Sequence, residues 1–194
     1  MKVSDHFDYE EFCKRDQEIL TPVQMFMLIN LSQNILEPIR SHLCAICKRD
    51  VSIKVVSGIR FPSDNNRLRA QGFNPSETSD HLFGNIVKLH NAVKIRKYGK
   101  YYQFSVGAAD IIPDCGADRA WDILLPFFNR NTATIDLPKG SIHIGQVILE
   151  KRKSFWLHIS NPKRLIFTEQ VVETYLKSEP FLKSLDNGCT YSTI

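Results

Sequence analysis

The sequence predicts an α+β domain, and three observations carry that reading. Apolar residues recur at helical intervals early in the chain, period-two alternation takes over later, and the strand–helix repetition of an α/β nucleotide-binding fold is missing. The 194 residues, 43% hydrophobic and 24% charged, suit one ordinary domain with an appendage and exclude disordered, collagenous and coiled-coil chains.

Thr21-Pro22-Val23-Gln24 reads as a helix start, with Thr21 as cap, Pro22 in the first turn and Gln24 completing a capping box. Phe26, Ile29, Leu36, Ile39 and Leu43 then recur at helical spacing, with a kink expected at Pro38. Residues 51–56 alternate as a strand, followed by a turn at Gly58-Ile-Arg60-Phe-Pro62 and a short helix near Asn65–Ala70. The tyrosine-rich run Ile95–Phe104 predicts a hairpin turning near Gly99. Asp118–Phe128 reads as an amphipathic helix, and Ala133–Leu137, Ile142–Glu150 and Phe155–Ser160 as strands. Thr168–Leu185 looks like a terminal helix interrupted at Pro180. Residues 163–194 form a C-terminal helical extension that packs on the domain or binds a partner.

Twenty-five basic residues against 21 acidic ones give a charge of +4, which suits an anionic partner. No Lys/Arg block is dense enough to argue for nucleic acid. No apolar run reaches bilayer length, and the polar start Met1-Lys2-Val3-Ser4-Asp5-His6 has no apolar core of a signal peptide. The expectation is a soluble chain made in the cytoplasm, with no membrane insertion. Five cysteines without secretory context do not make a disulfide framework. Cys44-Ala-Ile-Cys47 lacks the second pair that a zinc knuckle needs and reads as two small residues near a helix end.

Of the six histidines, His81 and His158 sit where a metal is at home. His81 follows the turn-forming run Asn74–Asp80, and His158 lies mid-strand among apolar neighbours. A buried imidazole needs a partner for each ring nitrogen, and for a single such histidine a hydrogen-bonded core side chain is the commoner answer. Asp110, between Val106-Gly-Ala-Ala109 and Ile111-Ile112, is a carboxylate in apolar surroundings, rare unless paired or bound to a cation. Two imidazoles and a carboxylate are the protein half of a catalytic zinc site with one position left for water. The metal lowers the pKa of such a water from about 15.7 to about 7.

Ser79-Asp80-His81-Leu82-Phe83-Gly84, Ala108-Ala109-Asp110 and Trp156-Leu157-His158 resemble the Ser-x-His-x-x-Gly-x-Ala-x-Asp and Trp-x-His motifs of the zinc D-alanyl-D-alanine carboxypeptidases. That family's relatives include bacteriophage endolysins and the lysostaphin-like and hedgehog-like zinc folds. Ser57–Pro62 is similar to the Ser-Gly-Tyr-Arg-Ser-Pro segment that precedes the motif, Gln146–Glu150 to the strand before the last histidine, and Asn34–Arg40 to an upstream helix. The resemblance covers roughly residues 5–162 and implies a domain over 1–162: N-terminal helices on a small antiparallel sheet that carries one zinc ion. His81 and Asp110 stand 29 positions apart where the family has seven. An insertion over about 86–106 must therefore leave and return as a hairpin, either as a wall of a substrate groove or as surface decoration.

Carried over by position, the resemblance implies zinc on His81, Asp110 and His158, with Arg60 holding a substrate carboxylate or carbonyl oxygen. Ser79 supports the loop or the substrate. The general base is open, because Phe155 stands where many relatives place an acid. Glu150 is the nearest acid upstream, with His143 and Asp80 as rivals. A three-residue turn at 151–153 sets Glu150 opposite Ser154 and Gln146 opposite His158, leaving Glu150 about 13 Å along the strands from the histidine and Gln146 nearer the metal. The implied activity is zinc-dependent hydrolysis of peptide bonds in peptidoglycan stem peptides or crosslinks, as carboxypeptidase or endopeptidase. Its site of action is then the bacterial cell wall, reached after lysis or export. The competing readings are a zinc-containing binding module of the same fold without catalysis, and a protein whose histidines merely fill a core.

Overall fold

A proline inside a helix removes a backbone donor and presses on the preceding turn. The run from Pro22 to Cys47 absorbs this without leaving helical conformation: Pro22–Ile29 (α2) widens into a π-helical stretch at Asn30–Leu36 and tightens again over Glu37–Cys47 (α3). The Glu37 N–H bonds the Ser32 carbonyl, five residues back, just before Pro38. The disruption expected at Pro38 is therefore a widened stretch upstream of it. The computed structural model describes residues 1–14, 20, 22–76, 79–83, 86–88, 102–104, 106–162, 181–183 and 192–193. Thr21, the expected cap, lies outside them, and Gln24 turns to the Phe83 carbonyl at 2.9 Å.

The widened turns also change which side chains face inward. Phe26 and Ile29 are 51% and 36% exposed, whereas Met27, Leu28, Leu31, Ile35, Leu36, Ile39 and Leu43 are buried. A strict 3.6-residue period extended back from Leu36 lands on the wrong positions because each i→i+5 turn carries an extra residue.

The helices pack on a six-stranded sheet ordered β1-β4-β9-β8-β10-β11. A short first helix, Tyr9–Phe12 (α1), precedes α2. The strands are Ile53–Ser57 (β1), Ala108–Pro113 (β4), Val147–Lys151 (β8), Phe155–Ser160 (β9), Phe181–Lys183 (β10) and Ser192–Thr193 (β11). All neighbours are antiparallel except β8 and β10, which run parallel with Ile148 beside Leu182. The terminal helix read over Thr168–Leu185 is thus corrected at its end. Phe181-Leu-Lys183 follows Pro180, which resists continuing a helix, and pairs with the edge of β8. Residues 163–180 lie outside the described residues. Between β1 and β4 come Pro62–Ala70 (α4) and the strands Ile86–Lys88 (β2) and Tyr102–Phe104 (β3).

β2 and β3 pair antiparallel, so the insertion does leave and return at one place. Lys88 pairs with Tyr102, however, which is not the register of a tight turn at Gly99. Gly99 lies outside the described residues, as does His90.

Ala117–Leu124 (α5) buries Ala117, Ala120, Trp121 and Leu124, the i, i+3, i+4, i+7 face of an amphipathic helix. The expected helix stops there, passing through a 3-10 turn at Leu125–Phe127 into Phe128–Asn129 (β5). β5 joins Thr134–Leu137 (β6) and Gly140–His143 (β7) in a separate three-stranded sheet. The single strand expected over Ile142–Glu150 is therefore two, β7 and β8, in different sheets. Gly145 makes the crossing: a Cβ there would stand 2.2 Å from the Asn161 carbonyl oxygen and 2.6 Å from Ser160 Oγ.

Asn161, buried just beyond β9, fastens the helical layer to the sheet. Its Nδ2 donates to the carbonyls of Met27 (2.8 Å) and Val106 (2.9 Å), and its Oδ1 accepts from Asn30 Nδ2 (2.9 Å). Ser32 Oγ donates to the Leu28 carbonyl at 2.9 Å and lies 3.1 Å from that of Ile29, so side chains serve the carbonyls where the helical ladder widens. Among the described residues no helix is long and apolar enough to cross a membrane. Replacing Asn161 by Ala strands two carbonyls and an amide in the interior. Urea unfolding of Asn161→Ala should show a loss of about 2–4 kcal/mol, whereas Asn66→Ala on the exposed side of α4 should stay within about 0.5 kcal/mol.

Candidate metal centre

The antiparallel register sets Asp110 of β4 directly opposite His158 of β9, so both side chains leave the same sheet face. His81 comes from the loop before β2. Its backbone is held by Arg60, whose N–H donates to the His81 carbonyl at 2.8 Å, while the N–H of Gly107 donates to the Asp80 carbonyl at 3.1 Å. His81 Nε2 lies 3.1 Å from Asp110 Oδ1 and 3.2 Å from His158 Nδ1, and His158 Nδ1 lies 2.9 Å from Asp110 Oδ1. These three residues form a group that could hold a metal ion. Four-coordinate zinc with bonds of about 2.0–2.1 Å sets its ligand atoms a little over 3 Å apart, close to this triangle.

The tautomers strengthen the fit. His81 Nδ1 sits 2.7 Å from the Gly58 carbonyl, which only accepts, so Nδ1 carries the proton. Burial pushes the His81 pKa down and keeps the ring neutral. Its Nε2 therefore points a bare lone pair at a carboxylate oxygen and at a second imidazole nitrogen, an arrangement that a shared cation resolves. Burial works to raise the Asp110 carboxyl, but the imidazoles beside it, with His158 Nδ1 donating at 2.9 Å, hold it well below the usual carboxylate range. For His158 burial works downward, yet its hydrogen bond to Asp110 and that residue's charge win and raise its pKa. Without metal, His158 is the group that holds a proton against Asp110.

Gly58 is where the sequence places a turn and the structure places an aiming device. The β1–β4 register slips between Val55 and Ser57, and the chain leaves the sheet at Gly58. A Cβ on Gly58 would stand 2.5 Å from the Phe12 carbonyl oxygen and 2.6 Å from its Cα. The Ile59 N–H donates to that same carbonyl at 2.8 Å, so α1 presses the Gly58 carbonyl toward His81. Nothing in the sequence marks Phe12 as a partner of the centre.

The remaining candidates divide. Arg60 donates from Nη2 to Ser79 Oγ at 3.0 Å, and its buried Nε has no hydrogen-bond partner among the described residues. Burial opposes the Arg60 charge, and Asp110, Glu150 and Asp64 offset part of that, which puts the guanidinium in the field of the centre. Ser79 Oγ, bonded by Arg60 and by the His81 N–H at 3.4 Å, holds the loop together. The β8–β9 register corrects the earlier expectation: Glu150 opposes Trp156, and Ile148 opposes His158. The turn is again three residues long, but it falls at 152–154, one position later than expected. Glu150 shares the His158 face only two residues away, about 7 Å along the strands instead of about 13 Å. Gln146 is not level with His158, and its carbonyl accepts the Ser160 N–H at 3.0 Å. Burial pushes the Glu150 carboxyl up, His158 pulls it down, Asp110 adds to the rise, and Arg60 opposes it.

His143 is exposed on β7 of the other sheet, and its charge acts on Asp136. Asp80 is buried, its Oδ1 has no hydrogen-bond partner among the described residues, and its charge helps to raise His158.

A metal must displace the His158 proton. Below the raised His158 pKa, apparent zinc affinity should fall by about tenfold per pH unit, and calorimetry in buffers of different ionisation enthalpy should register one proton released per ion. His81→Ala should abolish stoichiometric zinc, and Gly58→Ala should weaken binding about 10–100-fold while costing about 1–3 kcal/mol of stability. No protein-family model, curated protein or solved structure matches this chain.

Proposed function

We propose that this chain is a zinc-dependent peptidase that hydrolyses peptide bonds of peptidoglycan stem peptides or crosslinks, on a scaffold of the hedgehog-like, D,D-peptidase type. The observation that carries the reading is the His81–Asp110–His158 triangle with its preset lone pairs, in the electrostatic range of a half-buried guanidinium and a half-buried carboxyl. The ordered motifs around it resemble those of that peptidase family. Two imidazoles and one carboxylate suit zinc, and the triangle leaves a coordination position free.

Zinc held there supplies a Lewis acid and lowers the pKa of water toward about 7. The rest falls to the chain. Glu150, whose carboxyl is biased toward protonation by burial, takes a proton from the attacking water and hands it to the departing amine. Such a base works best with a pKa drawn toward neutrality, and burial moves Glu150 in that direction. Arg60 steadies the oxygen that gains charge, or the terminal carboxylate of the substrate, with donors that stay charged at working pH. Ser79 keeps the Arg60 fork in place from one side. The place of action in this reading is the bacterial cell wall, reached after lysis or export, as for an endolysin.

Phe155, in the position where an acid stands in related motifs, favours one competing reading: a zinc-holding module that binds cell-wall peptides and leaves them intact. A muropeptide digest followed by mass spectrometry separates the two. Peptidase action predicts new amino termini in the zinc-loaded sample and none after chelation. Glu150→Gln should lower the rate about 10²–10⁴-fold with zinc content intact, and Arg60→Ala about 10²–10³-fold. Cleavage undiminished by a chelator overturns the proposal, and full zinc loading with no cleavage selects the binding module. Zinc at a hundred times its Kd should also raise Tm by about 5–10 °C, a shift that histidines serving only as core filler would not give.

A further inference from the structure

Phe73, in the loop after α4, and Arg152, in the turn between β8 and β9, meet beside the metal centre. The ring is 39% exposed, and the guanidinium lies over it, 4.2 Å from the centroid. The end of α4 holds that ring in place. Gly72 takes the left-handed conformation at φ +81°, and the N–H groups of Gly72 and Phe73 return to the carbonyls of Arg69 (2.9 Å) and Leu68 (3.0 Å). This is the Schellman closure of a helix, and a side chain at Gly72 would strain it. Buried Asn65 ties down the loop beyond, its Nδ2 donating to the Ser76 carbonyl at 3.2 Å.

Strand alternation sets Arg152 on the metal side of the sheet. Glu150 and Trp156 pair across β8 and β9, both half-buried, and share the face of His158. The next pair, Lys151 and Phe155, points the other way: Lys151 Nζ lies 4.9 Å from the centroid of Phe155, which packs against the core. Arg152 follows and returns to the side of Glu150, where the loop after α4 meets it. Its flat face is spent on the ring, and among the described residues its side-chain N–H groups meet no acceptor and no carboxylate pairs with it. A planar fork already held by stacking can bind a carboxylate through two parallel bonds with little further ordering. Ile148 is level with His158, so Arg152 lies four positions further on, about 13 Å at roughly 3.3 Å each. With the length of its own side chain, it reaches a peptide residue about three or four places from a bond at the metal.

We propose that Arg152 is a specificity-determining residue that selects peptides bearing a carboxylate about three or four residues from the scissile bond, with Phe73 as the residue that positions its guanidinium. The bond cleaved follows from the peptidase reading, on which this rests, whereas the anion follows from the Arg152–Phe73 contact. Lysine would not serve in the same way, because an ammonium offers a point charge and no fork.

Two synthetic pentapeptides ending in D-Ala-D-Ala test this, alike except that the second residue carries a free carboxylate in one and a carboxamide in the other. With the zinc-loaded full-length protein, kcat/KM should favour the carboxylate peptide by about 10–100-fold, with the difference in KM. Arg152→Gln should bring that ratio to about one, Arg152→Lys should keep only a few-fold of it, and Phe73→Leu should lower it several-fold although the cation remains. A structural role alone would slow both peptides equally and leave the ratio where it was. Equal kcat/KM for the two peptides in the native protein overturns the proposal, and so does a preference that survives Arg152→Gln. If neither peptide is cut, cleavage is what fails, and calorimetric Kd values on the same zinc-loaded protein decide Arg152. A carboxylate preference of the same size that Arg152→Gln removes supports its role, and equal Kd values, or no binding of either peptide, overturn it.

Discussion

Asp110 and His158 face one another across β4 and β9, and the centre depends on that single cross-strand pair. Strand side chains alternate with a period of two, so a slip of one residue would send one partner through to the other face and leave a carboxylate alone in the interior. The apolar positions on both strands oppose such a slip. Ile111 and Leu157 pair next to Asp110 and His158, both fully buried, and an altered register would push them out of the core. His81 is fixed by a different force, a carbonyl that can only accept. Gly58 settles which ring nitrogen of His81 bears hydrogen and so which one faces the centre. Packing sets two donors and a hydrogen bond sets the third, before any ion arrives.

Much of this was legible because the relevant residues contradict their surroundings. Asp110 is a carboxylate among small and branched apolar residues, His158 an imidazole in a strand of Trp, Leu and Ile, and Arg60 a cation between turn residues. Such contrasts survive in a linear string. The α+β class was also legible from periodicity, as were β1, β6 and β9 to within two residues at each end. Three things were not. The π-helical stretch rotates the apolar face of α2, and no residue type announces it, so Phe26 and Ile29 were read as inward. The crossing from β7 to β8 rests on how close Gly145 comes to Asn161, a contact between distant backbones. The β8–β9 register turns on where a three-residue bend falls, and a shift of one position brought Glu150 from four residues to two residues from the level of His158. Propensity is local, whereas all three are decided by what the chain meets elsewhere.

Asn161 explains why the helices matter to the sheet beyond covering it. The amides of Asn34, Asn30 and Asn161 form a chain, 2.8 and 2.9 Å per link, that ends on the backbone of α2 and of the segment leading into β4. A fully satisfied polar network in the interior specifies a single arrangement, because any other leaves donors and acceptors stranded. Ser160, Asn161 and Gly107 are further tied through the main chain, so the strands bearing the two paired ligands share one end.

The paired strands β2 and β3 give the fold a practical freedom. They open from the chain between Phe83 and Val106, both buried, and close at the same point, so whatever lies beyond Lys88 and Tyr102 is grafted on a two-strand stem. His81 precedes this stem and Asp110 follows it, and neither depends on the length of chain carried between. The position is therefore a natural socket: a protein engineer can mount a fluorescent reporter there while His81 and Asp110 keep their places.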